Sequence, residues 1–375
     1  MIVGVPRETH RHEHRAGLTP SAVSRLCERG HAVVVEAGAG TGARFADRDY
    51  ERSGGQIVYS REEAYRRADL VCRVGLLAAD ELDLVRRGST ICGFHHLAVA
   101  SRATVERLRD LEVTLVGYEI IADPDGTLPV LVPLSEMAGQ MAVHTAAGLL
   151  QNEPGGRGIL LGDVPGVPPP TVLVLGAGTV GTAAARQAAA SGAHVIVVDQ
   201  EVRRLRRIAR ELPGRVVTAV AGLARLERFT GIADVVIGAV LVPGGRAPFL
   251  VSEAMVQAMK PGSVIVDVAI DQGGCVETSR PTTLADPTYE AHGVIHYCVP
   301  NMTANIARTS SRALANAALP YVARLADLGL DEALRRDPGL AEGVYLYRGR
   351  LVQPRVGELL GLPTPPLAEL LEGAR

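Results

Sequence analysis

Between Thr171 and Asp199 the chain reads T-V-L-V-L-G-A-G-T-V-G-T-A-A-A-R-Q-A-A-A-S-G-A-H-V-I-V-V-D, and no other stretch limits the fold as much. Thr171 to Leu175 is a short run rich in β-branched residues, as expected of a buried strand. Gly176, Gly178 and Gly181 follow at G-x-G-x-x-G spacing, and an Ala-rich helix opens at once. Gly192 stops that helix, His194 to Val198 make a second strand, and Asp199 ends it. The three glycines have separate tasks: a tight turn, room for backbone to approach a pyrophosphate, and close helix–strand contact. The pyrophosphate is expected on the helix N-terminus, where unpaired N–H groups point outward. Asp199 is placed to accept hydrogen bonds from ribose hydroxyls, and its charge repels a 2′-phosphate. Gln200 and Glu201 follow it, with no arginine immediately after. The expected cofactor is therefore NAD and not NADP. A tight strand–helix turn is the plain alternative, but strand, helix, second strand and terminal acid all fall in the order a dinucleotide site needs.

A chain of 375 residues suggests two domains, each with its own core. It is 47% hydrophobic with a net charge of −2, which is ordinary for a globular protein. No basic tract is strong and aromatics are only 3%, so no nucleic-acid partner is expected. No apolar run is long enough to span a bilayer, and the start, M-I-V-G-V-P-R-E, lacks the basic and apolar regions of a signal peptide. The cysteines Cys27, Cys72, Cys92, Cys275 and Cys298 are odd in number and scattered, with no C-x-x-C. Reduced thiols in a cytoplasm are the simple expectation. Lys260 is the only lysine, so nearly all positive charge is arginine.

The N-terminal third alternates strands and helices. Ile2–Val5, Ala32–Val35, Gln56–Tyr59, Leu70–Val74, Thr90–Phe94 and Val113–Tyr118 read as strands, with helices such as Ser21–Arg29 and Ala103–Leu108 between them. This predicts a parallel sheet with helices on both faces. Gly38, Gly40 and Gly42 lack the fingerprint spacing and read as a turn. A helix is expected from Ser135 to Leu150, with Ser135 as a possible N-cap. Gly155–Gly158 and the Pro-rich 164–170 then suggest a crossing between domains. Further strands at Val216–Val220, Asp234–Gly238, Ser263–Asp267 and Val294–Cys298 give six in the second half, a full doubly wound unit. Arg308 to Ala326 reads as a helix, and the strand-poor tail after it is expected to return to the first domain. The fold class is α/β with two doubly wound domains. Residues 131–307 form a Rossmann domain inserted into a discontinuous domain of 1–130 and 308–375. Two parallel crossings suit a hinge around a cleft.

Arg15 follows the first strand in the loop Glu8–Gly17, where a guanidinium suits a small carboxylate; a solvated arginine is the plain alternative. His10, His12 and His14 alternate beside it, but in an Arg- and Glu-rich loop a polar surface turn is expected and no metal. His95 and His96 end the strand Thr90–Phe94, on the side where open parallel sheets bind ligands. One of them suits proton transfer near neutral pH, with core packing as the competing role. Asp271 leaves another strand end through V-D-V-A-I-D-Q-G-G, where it suits proton relay; Asp267 or Asp271 capping the loop is the alternative. Asn301 either holds a ligand through its amide or caps the next helix.

These residues together resemble the alanine dehydrogenase family, which includes the soluble part of nicotinamide nucleotide transhydrogenase. The resemblance covers essentially the whole chain. It rests on G-V-P-R-E at Gly4–Glu8, R-A-G-L-T-P at Arg15–Pro20, E-A-G-A-G at Glu36–Gly40, H-L-A at His96–Ala98, L-S-E-M-A-G at Leu134–Gly139 and G-G-R-G at Gly155–Gly158. In the second half it rests on I-G-A-V-L-V-P-G at 237–244, V-D-V-A-I-D-Q-G-G-C at Val266–Cys275 and Y-C-V-P-N-M at Tyr297–Met302. The resemblance implies that Arg15 binds the substrate carboxylate, that His96 is the acid–base, and that Asp271 assists proton transfer and orders water. Ser135, Asp199, Val240 and Asn301 would join Gly176, Gly178 and Gly181 in holding NAD. Relatives commonly form hexamers or dimers, which implies a homo-oligomer.

One motif departs from the family. A Lys-x-Lys-Glu-Pro run ends the family's fourth strand, and its second lysine contacts the substrate. This chain has Arg73-Val74-Gly75-Leu76-Leu77. Gly75 supplies no cation, and losing one of two cations on a buried carboxylate costs roughly 2–5 kcal/mol. Arg73, two residues earlier on the same strand, faces the same side, and its longer fork is a candidate substrate-binding group from there. Gly75 opens space, and Leu76 and Leu77 are expected to make it apolar. The implied activity is NAD-dependent oxidative deamination of a small amino acid, or the reverse. The alternatives are a larger amino-acid or imino-acid substrate, and a catalytically weak NAD-binding regulatory protein.

Overall fold

The computed structural model describes residues 1–153, 155–242 and 245–373. It separates into two compact units. One comprises Met1–Leu134 with the chain from Ala304 onward; the other comprises Ser135–Val242 and Arg246–Thr303. Fifteen strands occur among the described residues. They are β1 (Ile2–Val5), β2 (Ala32–Glu36), β3 (Gln56–Val58), β4 (Leu70–Cys72), β5 (Thr90–Gly93) and β6 (Thr114–Gly117) in the first pass. The second unit holds β7 (Thr171–Leu175), β8 (His194–Asp199), β9 (Val216–Val220), β10 (Val235–Gly238), β11 (Val264–Asp267), β12 (Thr288–Ala291) and β13 (Val294–Tyr297). The returning tail adds β14 (Val344–Tyr347) and β15 (Arg350–Leu351).

In the first unit the sheet order is β15-β14-β6-β5-β4-β1-β2-β3. Strands β1 to β6 are mutually parallel in the doubly wound 3-2-1-4-5-6 order. The second sheet runs β12-β13-β11-β10-β7-β8-β9 and repeats that order in its six parallel strands. Its strands are apolar on both sides. Val172 and Val174 join one core layer, while Leu173 and Leu175 join the other, because successive side chains leave opposite faces. A sheet covered on both faces needs such continuous apolar runs.

Three strands escape the sequence reading: β12, β14 and β15. Each lies in an antiparallel hairpin at a sheet edge. The turns are His292-Gly293 and Arg348-Gly349, with φ of 54° and 74°, and 47° and 78°. Two central residues with positive φ make the tight hairpin turn whose twist suits the flanking strands. The X-Gly pairs between V-Y-L-Y and R-L, and between T-Y-E-A and V-I-H-Y, are the signals that mark them. The tail is therefore not strand-poor, and both sheets are mixed and not purely parallel.

The helix expected from Ser135 begins earlier, at Val132, and ends at Leu149. Pro133 fits its first turn, where backbone N–H groups have no intrahelical partner. Ser135 is thus inside the helix and does not cap it. The segment 155–170 lies within the second unit, so the change of unit comes at Leu134–Ser135 and not in the Pro-rich run. Among the described residues no helix is long and apolar enough to cross a membrane.

Candidate active site

In the first unit β1 is followed by a loop of charged residues from Pro6 to Thr19. Thr19 stops it by accepting the Ala22 N–H, with Pro20 as the first residue of the helix Pro20–Glu28. The loop is pinned at two points. The Ala16 N–H donates to Ser311 Oγ at 3.0 Å, and Ser311 is fully buried. A methyl group at Gly17 would lie 2.8 Å from Arg73 Cα, so glycine there lets the loop lie against the end of β4. Arg15 is only 2% exposed. Its Nε and Nη2 donate to the two carboxylate oxygens of Glu13 at 2.7 and 2.6 Å, a bidentate fork. The loop, with Arg7, Glu8, Glu13 and Arg15 among its contributors, lines a cavity of about 580 Å³.

Arg73 lies just beyond β4, and its guanidinium is committed to protein groups. Nη2 donates to Glu8 Oε2 at 2.9 Å, and Nη1 donates to Glu81 Oε2 at 3.0 Å and to the Tyr65 hydroxyl at 2.6 Å. All of these side chains are buried. Burial works against the Arg73 charge, yet Glu8, Tyr65 and Glu81 hold it protonated. Glu8 also accepts the Val74 N–H at 2.6 Å, and burial raises its carboxyl above the usual range. Leu77 does not line the space at Gly75. Leu77 is 4% exposed within the core that holds Leu82 and Leu97, and Leu76 packs on the same core. A Cβ at Gly75 would meet only Glu8 Oε2, at 4.0 Å.

At the end of β5 the two histidines part. His95 is 1% exposed, and neither ring nitrogen makes a hydrogen bond of good geometry. Burial pushes its pKa down to about 4, so the ring is neutral at pH 7. His96 is partly exposed, adopts φ of 43°, and stacks its ring 6.2 Å from that of Phe94. A non-glycine residue with positive φ needs outside support. Glu119 supplies it: its Oε1 accepts the N–H of His95 at 3.0 Å and that of His96 at 2.6 Å. Tyr345, from β14, donates its hydroxyl to the same oxygen at 3.0 Å. Glu119 and Tyr345 are residues that sequence reasoning missed. Tyr345 belongs to a strand it did not detect, and Glu119 is one acid among 41 Asp and Glu.

The second unit holds the glycine cradle. Gly176 has φ of 105°, and a methyl there would meet the Ala239 carbonyl oxygen at 2.5 Å. At Gly181 a methyl would overlap the Gly176 carbonyl, whereas at Gly178 it would meet nothing within 4 Å. The first and third glycines thus serve close packing, and the second leaves open space at the start of the helix Thr179–Ala190, which has no side-chain cap. Asp199 ends β8, its oxygens accepting the Ala177 and Glu201 N–H groups, each at 2.7 Å. Each oxygen retains acceptor capacity for a ribose hydroxyl. This cradle fits a dinucleotide. Arg207, also missed, donates to the Ala177 carbonyl at 3.1 Å from the next helix, and Arg204 stands 3.9 Å from Asp199. Val240 lies beside Gly176, its Cγ1 3.4 Å from where a Cβ would be. Pro243 and Gly244, which end the motif begun at Ile237, lie outside the described residues.

The two acids after β11 also part. Asp267 caps the loop, accepting the N–H groups of Ala269, Cys275 and Val276. Asp271 is partly exposed and accepts the Asn301 N–H at 2.9 Å, which brings these two expected site residues together. Asn301 has φ of 52°. Ser135 is partly buried in the fourth position of its helix. Among the described residues no group of three or more His, Cys, Asp or Glu is arranged to hold a metal ion.

Comparison with known proteins covers both units. Residues 4–138 match the family model described as alanine dehydrogenase/PNT, N-terminal domain, and residues 142–354 match its C-terminal domain. Alanine dehydrogenase of Mycobacterium tuberculosis (strain CDC 1551 / Oshkosh) is 46% identical over 371 residues, 99% of this chain and 100% of that protein. Alanine dehydrogenase of Halomonas elongata is 45% identical over the same shares. A solved L-alanine dehydrogenase superposes with a TM-score of 0.89 at 44% identity, covering 96% of this chain and 99% of its own. A transhydrogenase from Sinorhizobium meliloti gives 0.78 at 25% identity, covering 94% and 99%.

Proposed function

The chain belongs to the alanine dehydrogenase/PNT family, and from that premise we propose that it catalyses NAD-dependent oxidative deamination of alanine or a related amino acid, or the reverse reductive amination. The observation that carries the reading is the buried Arg15 fork beside the cavity, already closed on a carboxylate in the geometry a substrate carboxylate needs. The substrate takes the place of Glu13 on that fork. His96 takes a proton from the substrate amine, and later passes protons as water adds to the imine and ammonia leaves. Asp271 orders that water. Ser135, Gly176, Gly178, Gly181, Asp199, Val240 and Asn301 hold NAD, which when bound supplies the hydride acceptor. Arg73 acts one step back from the substrate, through Glu8 and Glu81. The working form is a cytoplasmic homo-oligomer, in keeping with five free cysteines; light scattering that gives a monomer overturns the oligomer.

The test is NADH formation from alanine with NAD, and its reversal with pyruvate and ammonium. Binding of NAD without turnover of any amino acid refutes the enzyme and supports the regulatory alternative. NADH is expected to bind more tightly than NADPH by calorimetry, and Asp199→Ala to shrink that preference by about tenfold, since one hydrogen bond to a charged group contributes roughly 1.5–3 kcal/mol.

A further inference from the structure

The space at Gly75 ends on a carboxyl group and not on Leu77. Among the described residues, chain neighbours apart, Glu8 Oε2 is the one atom within 4 Å that a Cβ there would meet, at 4.0 Å. Leu77 is turned into the core, and Leu76 is partly buried against it. The charges nearby do not balance. Three acids, Glu8, Glu13 and Glu81, share two guanidinium groups, those of Arg15 and Arg73. Arg15 forks Glu13, and Arg73 bridges Glu8 and Glu81, whose other hydrogen-bond partners among the described residues are neutral donors: the Val74 and Ala78 N–H groups and the Tyr65 and Thr9 hydroxyls. Of the other cations lining the cavity, Arg61 faces Glu36 at 3.6 Å, and Arg7 and Arg11 are exposed, where water screens them. Among the described residues the buried group thus holds one more carboxyl than guanidinium, beside Gly75, which carries no side chain of its own. A buried carboxyl that lines the cavity and faces open space at Gly75 favours a ligand cation, because desolvated opposite charges attract far more strongly than exposed ones.

We infer that this site takes a short diamino acid, whose second ammonium fills the space at Gly75 and pairs with the Glu8 carboxylate. The inference rests on the dehydrogenase reading and names its substrate class. The chemistry at Cα is unchanged: the α-amine loses a proton and Cα a hydride, which NAD accepts. Water then adds to the imine and ammonia leaves, giving the 2-oxo acid. The second ammonium is a spectator. Its work is done in binding, where it adds a cation beside Glu8. Glu8 already accepts from Arg73 and from the Val74 N–H, so an analogue without the second ammonium loses a favourable charge pair at a desolvated site and leaves no group unpaired.

The experiment compares matched pairs with NAD: diaminobutyrate against norvaline, and ornithine against norleucine, with alanine alongside. The natural protein is expected to favour the diamino member of at least one pair by at least about tenfold in kcat/KM. Gly75→Lys, for which there is room at the Cβ, places a cation on Glu8 from the protein side. It is expected to abolish that preference and to raise alanine turnover. Glu8→Gln is expected to lower the diamino preference without adding bulk. Turnover of alanine or norvaline with no diamino preference overturns the inference and leaves the dehydrogenase reading intact. So does a preference that survives Glu8→Gln. Failure of every amino acid, alanine included, overturns the dehydrogenase reading and this inference with it.

Discussion

The two units share a strand order and differ in the loop that leaves the first strand. After β7 only Gly176, Ala177 and Gly178 separate strand from helix, and this turn presents backbone. After β1 the chain runs from Pro6 to Thr19 before its helix, and this loop presents charged side chains. The same kind of parallel sheet delivers both loops at its carboxyl end. A short glycine turn suits a diester such as a pyrophosphate, which several amides bind together. A longer loop, braced by Ser311 and by Gly17, can bury a guanidinium for a small carboxylate. A second likeness lies deeper. In each unit a non-glycine residue with positive φ ends a strand region, His96 at 43° and Asn301 at 52°. In each, a carboxylate accepts its N–H: Glu119 at 2.6 Å and Asp271 at 2.9 Å. The architecture is common to both, and chemistry is divided between them by loop length.

If that division holds, damage to the first unit's chemistry spares the second unit's ligand. His96→Ala is expected to lose at least roughly 100-fold in turnover, the lower end of the contribution acid–base groups make. NAD affinity by calorimetry is expected to stay at the natural level. His95→Ala is expected to be milder in turnover. Equal losses from the two variants, or a worse His95 variant, would reassign the acid–base.

His95 sharpens the contrast in another way, through stability. Its folded pKa of about 4 lies below the ordinary 6.5. Between those values the unfolded chain takes up a proton that the folded ring refuses, so stability falls as pH drops from about 6.5 to about 4 and is fully present above 6.5. The full loss approaches about 3 kcal/mol, since each pKa unit is worth about 1.4. His95→Gln is expected to flatten this part of the pH dependence in urea unfolding of the first unit. An unchanged slope would show that other groups carry it.

The glycines of the second unit allow a cleaner separation of packing from binding. Gly181→Ala forces a methyl onto the Gly176 carbonyl and is expected to cost about 1–3 kcal/mol of stability. Gly178→Ala meets nothing within 4 Å, so the fold is expected to tolerate it while NAD binding weakens. If both destabilise alike, the middle glycine has a packing role that its surroundings do not explain.

The same physics decides how much of the molecule was legible in its sequence. The glycine cradle was legible because turn, strand and helix lie within 29 consecutive residues and each constrains the next. The parallel strands were legible because burial on both faces requires apolar runs. The edge hairpins were not: β12 and β15 are partly exposed strands of four and two residues without such runs, and β14, though buried along its length, is only four residues long. The Glu8–Arg73–Glu81 cluster joins residues 65 and 8 positions apart, and nothing in their spacing selects them. The direction of Leu77 departs from expectation for a related reason: an apolar residue announces that it will be buried, but not against which partners.

The smallest expected effect tests whether the support beneath His96 is part of the chemistry or only of the fold. Tyr345 comes to Glu119 from β14, in the returning tail, 226 residues away in sequence. Gly117 leaves room for its ring, since a methyl there would lie 2.7 Å from Tyr345 Cδ2. Tyr345→Phe keeps the ring and removes one of three hydrogen bonds to Glu119 Oε1, at a cost of about 1 kcal/mol in stability. The remaining two bonds still hold the His95–His96 backbone, but the carboxylate is freer to turn toward its other, unpartnered oxygen. His96 then samples more positions, and kcat is expected to fall a few-fold, as a loss near 1 kcal/mol implies. Substrate KM should change little, because Arg15 and its loop are braced elsewhere, by Ser311. The pH profile of kcat/KM is the readout that a purely structural brace would leave alone: with Glu119 less fixed, the acid–base limb is expected to move. A lower melting temperature with kcat and pH profile unaltered would show that Tyr345 and Glu119 shape the turn and do nothing further for the reaction.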